Sequence, residues 1–105
     1  MVDKVALASQ YIKARLAEDN DTVLSLVTDD IVLVSQRDGT HEGKEAFTKY
    51  LKSVKPTGKW QDPVLEGDQV VIKGTVTVIF INWSVASFLD FNDDGKITKI
   101  EIKRV

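Results

Sequence analysis

Apolar residues recur at three- and four-residue spacing through the first half of the chain. Between Val2 and Glu18, a run of helix-favouring residues carries an apolar stripe made of Val5, Ala8, Ile12 and Leu16. After the capping residues 19–21, a shorter segment repeats the spacing with Val23, Leu24, Leu26 and Val27. A third segment places one face on Ala46, Phe47, Tyr50, Leu51 and Val54, and Pro56 and Gly58 end it. The pattern predicts three helices.

Strand signals separate and follow these helices. Residues 31–35 are apolar and β-branched, which favours a strand, and residues 37–40 have turn chemistry. After Gly58 the spacing changes to an alternation of two, with one face formed by Val70, Ile72, Val76, Val78 and Phe80. Gly74 interrupts that face, which predicts a bulge or a bend in a curved sheet.

The rest of the chain predicts an antiparallel meander. Val85 to Phe91 and Ile97 to Val105 are its last two strands, with turns near Asn82 and at Asn92 to Gly95. Helices first and strands afterwards define an α+β fold. The 105 residues suit one domain covering residues 1–105.

Composition excludes several classes of site and partner. The chain has no cysteine, so disulfides and thiolate-bound metal are excluded. Its 14 basic and 16 acidic residues are interspersed and give a net charge of −2, so we expect neither a nucleic acid nor a membrane as partner. The N-terminal apolar run is interrupted by charged residues, unlike a secretory signal or a membrane span. We therefore expect a soluble intracellular protein, cytoplasmic or nuclear, and we find no motif that predicts a cofactor.

One segment matches the calcium loop of EF-hand proteins. The sequence DFNDDGKITKIE supplies the oxygen-bearing candidates Asp90, Asn92, Asp94 and Glu101, with Gly95 at the sharp turn. An EF-hand also needs a helix on each side of the loop. Upstream residues are β-branched and aromatic, and only four residues follow Glu101. A hairpin turn is therefore the preferred interpretation, and calcium binding is a remote alternative.

Three short motifs, in their order and spacing, resemble the NTF2-like superfamily, which includes the SnoaL-like proteins and ketosteroid isomerases. They are Asp29-Asp30 before the first strand, Gly43-Lys44-Glu45-Ala46 opening a helix, and Asp94-Gly95-Lys96-Ile97 in the last hairpin. The resemblance covers nearly the whole chain. It implies a cone in which three N-terminal helices pack in a strongly curved antiparallel meander sheet around a pocket, commonly as a homodimer joined through the sheet.

The isomerase chemistry of that superfamily transfers only in part. The resemblance places Tyr11 where the isomerases have their oxyanion tyrosine, but Ser35 where they have the general base and Ser87 where they have a second oxyanion acid. A serine hydroxyl does not serve as a general base near neutral pH unless another group activates it. We therefore expect no isomerase activity of that kind, and Tyr11, Ser35 and Ser87 remain the candidates for any catalysis.

The same positions predict a ligand pocket and an interface. The expected pocket residues are Tyr11, Ser35, Phe47 and Ser87. The expected homodimer interface is Thr77, Ile79, Ile81 and Trp83, because apolar residues on the face opposite the core would otherwise be exposed.

Two classes of function stay open. One is a non-catalytic module that binds a small hydrophobic ligand or a partner protein, and the other is a SnoaL-like enzyme acting on a small hydrophobic substrate. The second requires an acid that the sequence does not place beside Tyr11, Ser35 and Ser87.

Overall fold

The computed structural model describes residues 3–54 and 58–105. Its helices are α1 (Lys4–Leu16), α2 (Asn20–Ser25) and α3 (Lys44–Ser53). Aspartates cap the first two, since the Asp3 carboxylate accepts from the Ala6 amide at 3.0 Å and the Asp19 carboxylate accepts from the Thr22 amide at 3.3 Å. The predicted helix start at Val2 and the predicted stop at Pro56 lie outside the described residues.

The strands of the described residues form one sheet of seven. They are β1 (Val27–Ser35), β2 (Gly39–Glu42), β3 (Lys59–Trp60), β4 (Val64–Glu66), β5 (Gln69–Val78), β6 (Ile81–Phe91) and β7 (Ile97–Arg104). The strand order is β2-β1-β7-β6-β5-β3, and β4 also pairs with β5. All pairs are antiparallel except β1 and β7, which run parallel. The parallel pair brings the first strand beside the last.

The α+β prediction is confirmed, with three helices against a curved sheet. The core between the layers is a single cluster whose fully buried members come from both halves of the chain: Ala8, Val23, Ile31, Leu33, Phe47, Val70, Ile72, Leu89, Ile97 and Ile100. Burial of a large aliphatic or aromatic side chain contributes about 1.5–3 kcal/mol, so this cluster is the main source of stability.

Two boundaries in the first half differ from the sequence prediction. Strand β1 begins at Val27, which the helical spacing had included in the second helix, so Asp29 and Asp30 lie within a strand. Strand β2 was not predicted, because its four residues GTHE have no apolar alternation. It pairs with β1 through Ser35 and Gly39, which makes the turn at residues 36–38 a tight hairpin connection.

The hairpin between β5 and β6 turns three residues earlier than predicted. Val78 pairs with Ile81, so the turn consists of Ile79 and Phe80 rather than lying near Asn82. Both turn residues have positive φ, 51° and 65°, a conformation that is strained for residues with a branched or bulky side chain. Phe80, predicted on the core face, is 99% exposed. The side chain of Val78 lies outside what the structure describes.

Gly74 has a different role from the predicted bulge. The pairing of β5 with β6 is unbroken from Val70 to Val78, so no bulge occurs at this position. Instead Gly74 faces the ring of Trp60 in β3, and a Cβ added there would lie 2.5 Å from Trp60 Cε3. The absence of a side chain at Gly74 is therefore what lets the indole pack this closely against the strand.

Candidate functional site

A cavity of about 420 Å³ lies between helices α1 and α3 and the inner face of the sheet. Volumes of this size are typical of sites for small molecules. Much of the wall is apolar or aromatic and is contributed by Ile12, Val54, Trp60, Val76, Trp83, Val85 and Ile102.

Helix α1 contributes two polar side chains to this wall from one face, Tyr11 and Arg15, which are four residues apart. Both are buried, Tyr11 at 4% and Arg15 at 7% exposure. Arg15 Nη2 donates to the carbonyl oxygen of Val54, just beyond the end of α3, and its guanidinium carbon lies 5.7 Å from the centre of the Tyr50 ring. Arg15 thus joins the two helices at the cavity.

Both tyrosines of the chain line the cavity and keep their protons more strongly than usual. Burial raises the pKa of Tyr11 far above its ordinary value, and the nearby Arg15 guanidinium opposes that rise. Burial also raises the pKa of Tyr50, with a further contribution from the Asp38 carboxylate and an opposing one from Arg15. At neutral pH both phenols are therefore neutral groups that can donate hydrogen bonds.

The hairpin between β1 and β2 adds a serine and a carboxylate. Ser35 Oγ donates to Asp38 Oδ2 at 3.2 Å and accepts from the Asp38 amide at 3.1 Å, which fixes the turn. The other carboxylate oxygen of Asp38 is 3.2 Å from Arg37 Nε, and its side chain is 23% exposed. Ser35 and Asp38 both belong to the cavity wall, so the acid that the sequence did not place beside Ser35 is three residues further on.

The structure brings together three of the four predicted pocket residues. Tyr11 on α1, Ser35 at the end of β1 and Ser87 in the middle of β6 line the same cavity. Phe47 does not, because it is completely buried in the core cluster on the inward face of α3. The pocket assignment of Phe47 is therefore wrong in position, while roles for the other three stay predictions.

Sequence reasoning missed Arg15 and Asp38. Arg15 follows Ala8 and Tyr11 at helical spacing, a signal that was available, but an arginine in a helix is ordinarily placed on the solvated face. Asp38 was assigned only to turn chemistry. Its contact with Ser35 depends on the tight hairpin between β1 and β2. The sequence pattern did not predict that hairpin, because it did not predict β2.

The four predicted interface residues do not share one face. Thr77 pairs with Asn82 on the outer side of the sheet, whereas Trp83 pairs with Val76 on the cavity side and stacks 4.1 Å from the Arg104 guanidinium. Ile79 is 83% exposed in the turn. Because the turn comes earlier than predicted, the residues after it lie on the opposite face of the sheet from the one assumed. The face assigned to Trp83 is therefore wrong. A homodimer stays a prediction.

The residues of the calcium motif are spread along a hairpin. Asn92 Oδ1 accepts from the amides of Asp94 at 3.0 Å and Lys96 at 2.9 Å, and Asp90 Oδ1 accepts from Gln69 Nε2 at 2.9 Å. Glu101 lies in β7, opposite Phe88. Within residues 3–54 and 58–105, no three histidine or acidic side chains cluster in a way that suits a metal ion.

Comparison with known proteins gives the same fold. The family model of the SnoaL-like domain matches residues 8–100. An NTF2-like protein of unknown function from Cytophaga hutchinsonii superposes with a TM-score of 0.84 at 14% identity, covering 100% of this chain and 92% of the other. An uncharacterised cystatin-fold protein from Novosphingobium aromaticivorans gives 0.82 at 23% identity, covering 99% and 100%.

A third similar structure has a named activity. It is a candidate polyketide cyclase from Sinorhizobium meliloti, with a TM-score of 0.79 at 17% identity, covering 93% of this chain and 94% of the other. No curated protein matches this sequence. None of the helices in the described part of the chain has the length and apolar character that a membrane crossing requires.

Proposed function

This chain belongs to the SnoaL-like domain family of the NTF2-like superfamily, and from that premise we propose that it is a binding module for a small, mainly apolar molecule. The observation that carries the proposal is the cavity of about 420 Å³ with its largely apolar wall. Such a wall gains free energy from covering an apolar ligand, about 25 cal/mol for each Å² removed from water. Polar groups in the same wall, among them Tyr11, Ser35 and Ser87, would set the orientation of the ligand.

The proposal favours binding without catalysis. Ser35 and Ser87 occupy the positions at which the resemblance to isomerases predicts acids, and a serine hydroxyl does not act as a general acid or base near neutral pH unless another group activates it. The hydroxyl of Ser35 is also engaged in the turn with Asp38. Ser87 is therefore the serine better suited to hydrogen bonding with a ligand.

The experiment measures ligand binding to a variant whose cavity is partly filled. The control variant carries the same substitution on the other face of the sheet. Ser87→Phe adds a ring to the cavity wall, while Ser84→Phe makes the same change on an exposed position of the same strand. Binding of the neutral dye N-phenyl-1-naphthylamine is followed by its fluorescence. We expect the wild type and Ser84→Phe to bind it alike, and Ser87→Phe to bind at least about 10-fold more weakly, the effect of losing one well-packed contact region. Equal binding by all three proteins, or none by the wild type, would contradict the proposal.

A second candidate function is proton transfer on a small hydrophobic substrate. The observation that favours it is the Ser35–Asp38 pair at 3.2 Å in the cavity wall, together with the neutral phenol of Tyr11. Asp38 would move the proton and Tyr11 would donate a hydrogen bond to the developing oxyanion.

Deuterium exchange tests this candidate directly. In D₂O, an enolising enzyme exchanges the protons next to the carbonyl of 2-tetralone, which proton NMR follows over time. Exchange by the wild type that exceeds the buffer rate, and that Asp38→Asn lowers by about 100-fold or more, would support proton transfer. Exchange at the buffer rate would contradict proton transfer and leave ligand binding as the remaining proposed function.

A further inference from the structure

Arg15 is the most unusual group in the cavity wall. Its side chain is more than nine-tenths buried, yet its Nη1 has no hydrogen-bond partner among the described residues. A guanidinium carries five N–H donors, and a buried charge without partners is costly. The bond from Nη2 to the Val54 carbonyl explains why the side chain lies between α1 and α3, but it leaves Nη1 unexplained.

The charges around Arg15 do not neutralise it. The wall of the cavity contains three basic side chains, Arg15, Arg37 and Arg104, and one acidic side chain, Asp38. Asp38 is already paired with Arg37 at 3.2 Å. Arg104 stacks on the Trp83 ring, while the Lys103 ammonium lies on the other face of the sheet, 4.7 Å from the centre of the Phe88 ring. The cavity is therefore electropositive, and its most deeply buried cation is Arg15.

Together these observations identify what the ligand carries. We propose that the ligand is a small carboxylic acid whose carboxylate accepts a hydrogen bond from the Arg15 guanidinium and whose apolar body lies against Trp60, Val85 and Ile102. This inference rests on the proposed binding function and adds the chemical class of the ligand. A carboxylate suits the site because it matches the planar geometry of a guanidinium and offers acceptors only. The neutral phenols of Tyr11 and Tyr50 lie beside the same group and add donors.

The experiment compares ligands that differ only in the head group. Octanoate, octanamide and octylamine have the same apolar chain and carry a negative, a neutral and a positive head. Trp60 and Trp83 both line the cavity, so intrinsic fluorescence reports binding at the site itself. We expect octanoate to bind about 10- to 100-fold more tightly than octanamide, the range that a hydrogen bond to a buried charge supports, and octylamine to bind most weakly.

Variants at Arg15 assign the preference to its charge. Arg15→Met keeps an apolar stem and should remove the preference for octanoate while changing octanamide binding by less than about threefold. Arg15→Lys keeps the charge and should retain part of the preference. The control Lys103→Met removes a cation from the outer face of the same strand, and it should leave the preference in place because an exposed charge on the far side of the sheet interacts weakly with the cavity. Thermal melting identifies any variant that does not fold, and the comparison of head groups on the wild type stands without the variants.

The possible outcomes separate this inference from the proposed function. Equal binding of octanoate and octanamide, or tighter binding of octanamide, would overturn the acid preference and leave the cavity as a binding site. A preference for octanoate that persists in Arg15→Met would overturn the assignment to Arg15. If none of the three ligands binds and the neutral dye does not bind either, the binding function itself is wrong.

Discussion

The hairpin between β5 and β6 allows a test of whether positive φ at its turn residues destabilises the protein. Its two turn residues, Ile79 and Phe80, have φ of 51° and 65°. A left-handed conformation costs an ordinary L-residue about 1–2 kcal/mol, and neither side chain recovers that cost by packing, since they are 83% and 99% exposed. Asparagine tolerates this conformation, and glycine adopts it freely. Glycine also loses more backbone entropy on folding, which lowers the free energy of unfolding by about 0.5–1 kcal/mol.

The double variant Ile79→Asn/Phe80→Gly should therefore be more stable than the wild type. The net gain is about 2 kcal/mol, and in a domain of this size a gain of that magnitude raises the melting temperature by roughly 8–16 °C. The measurement is thermal unfolding followed by circular dichroism. The control is Leu65→Asn, which removes an apolar side chain that is 53% exposed from strand β4, where no left-handed residue is involved.

A double variant that melts at or below the wild-type temperature would mean that the turn is not strained. A similar rise in Leu65→Asn would show that the loss of exposed apolar surface, rather than the turn geometry, is responsible.

Four further predictions concern other parts of the molecule. Gly74→Ala should cost about 1–3 kcal/mol of stability and shift the emission of Trp60, because the added methyl overlaps its ring; unchanged emission would contradict this packing. Since burial raises the pKa of Tyr11, the stability it contributes is complete below its unfolded pKa of about 10 and is lost as the pH rises above it. Tyr11→Phe should therefore weaken the fall in urea midpoint as the pH rises from about 10 to about 12, and an equally steep fall in the variant would argue against burial as the cause. Asn92→Ala should lower the free energy of unfolding by about 1–3 kcal/mol, because two hydrogen bonds to its side chain are lost, and the loss should be the same with and without calcium. A loss that depends on calcium would support a metal site in this hairpin. If the predicted homodimer exists, sedimentation velocity should give about twice the 11.7 kDa chain mass, and a monomer at high concentration would remove the dimer.

The fold was predictable from the sequence where periodicity was strong. The apolar spacing in α1 and α3 indicated helices correctly, and the alternation after Gly58 indicated the long strands. Strand β2 was missed because its glycine and three polar residues have no apolar alternation to detect. The turn at Ile79 was missed because its residues are among those least suited to positive φ, so the usual turn signals pointed instead to Asn82.

The site was predictable only where the family resemblance supplied positions. Tyr11, Ser35 and Ser87 were placed by that resemblance, and the structure finds all three in one cavity wall. Arg15 could not be placed, because its burial depends on how α3 and the curved sheet close over α1. The parallel pairing of β1 with β7 joins segments about 70 positions apart in the chain, and local sequence patterns do not report such contacts.

The central claim is that a small molecule binds in the cavity between the helices and the inner face of the sheet. The most direct test is a titration of the ¹⁵N-labelled protein with octanamide, in which NMR follows every backbone amide. The account predicts that the largest shifts occur at Tyr11, Ser35, Ser87 and Ile102, which line the cavity from three different elements and the end of a fourth. Shifts confined to the exposed turn at Ile79, or no shifts at saturating octanamide, would contradict it.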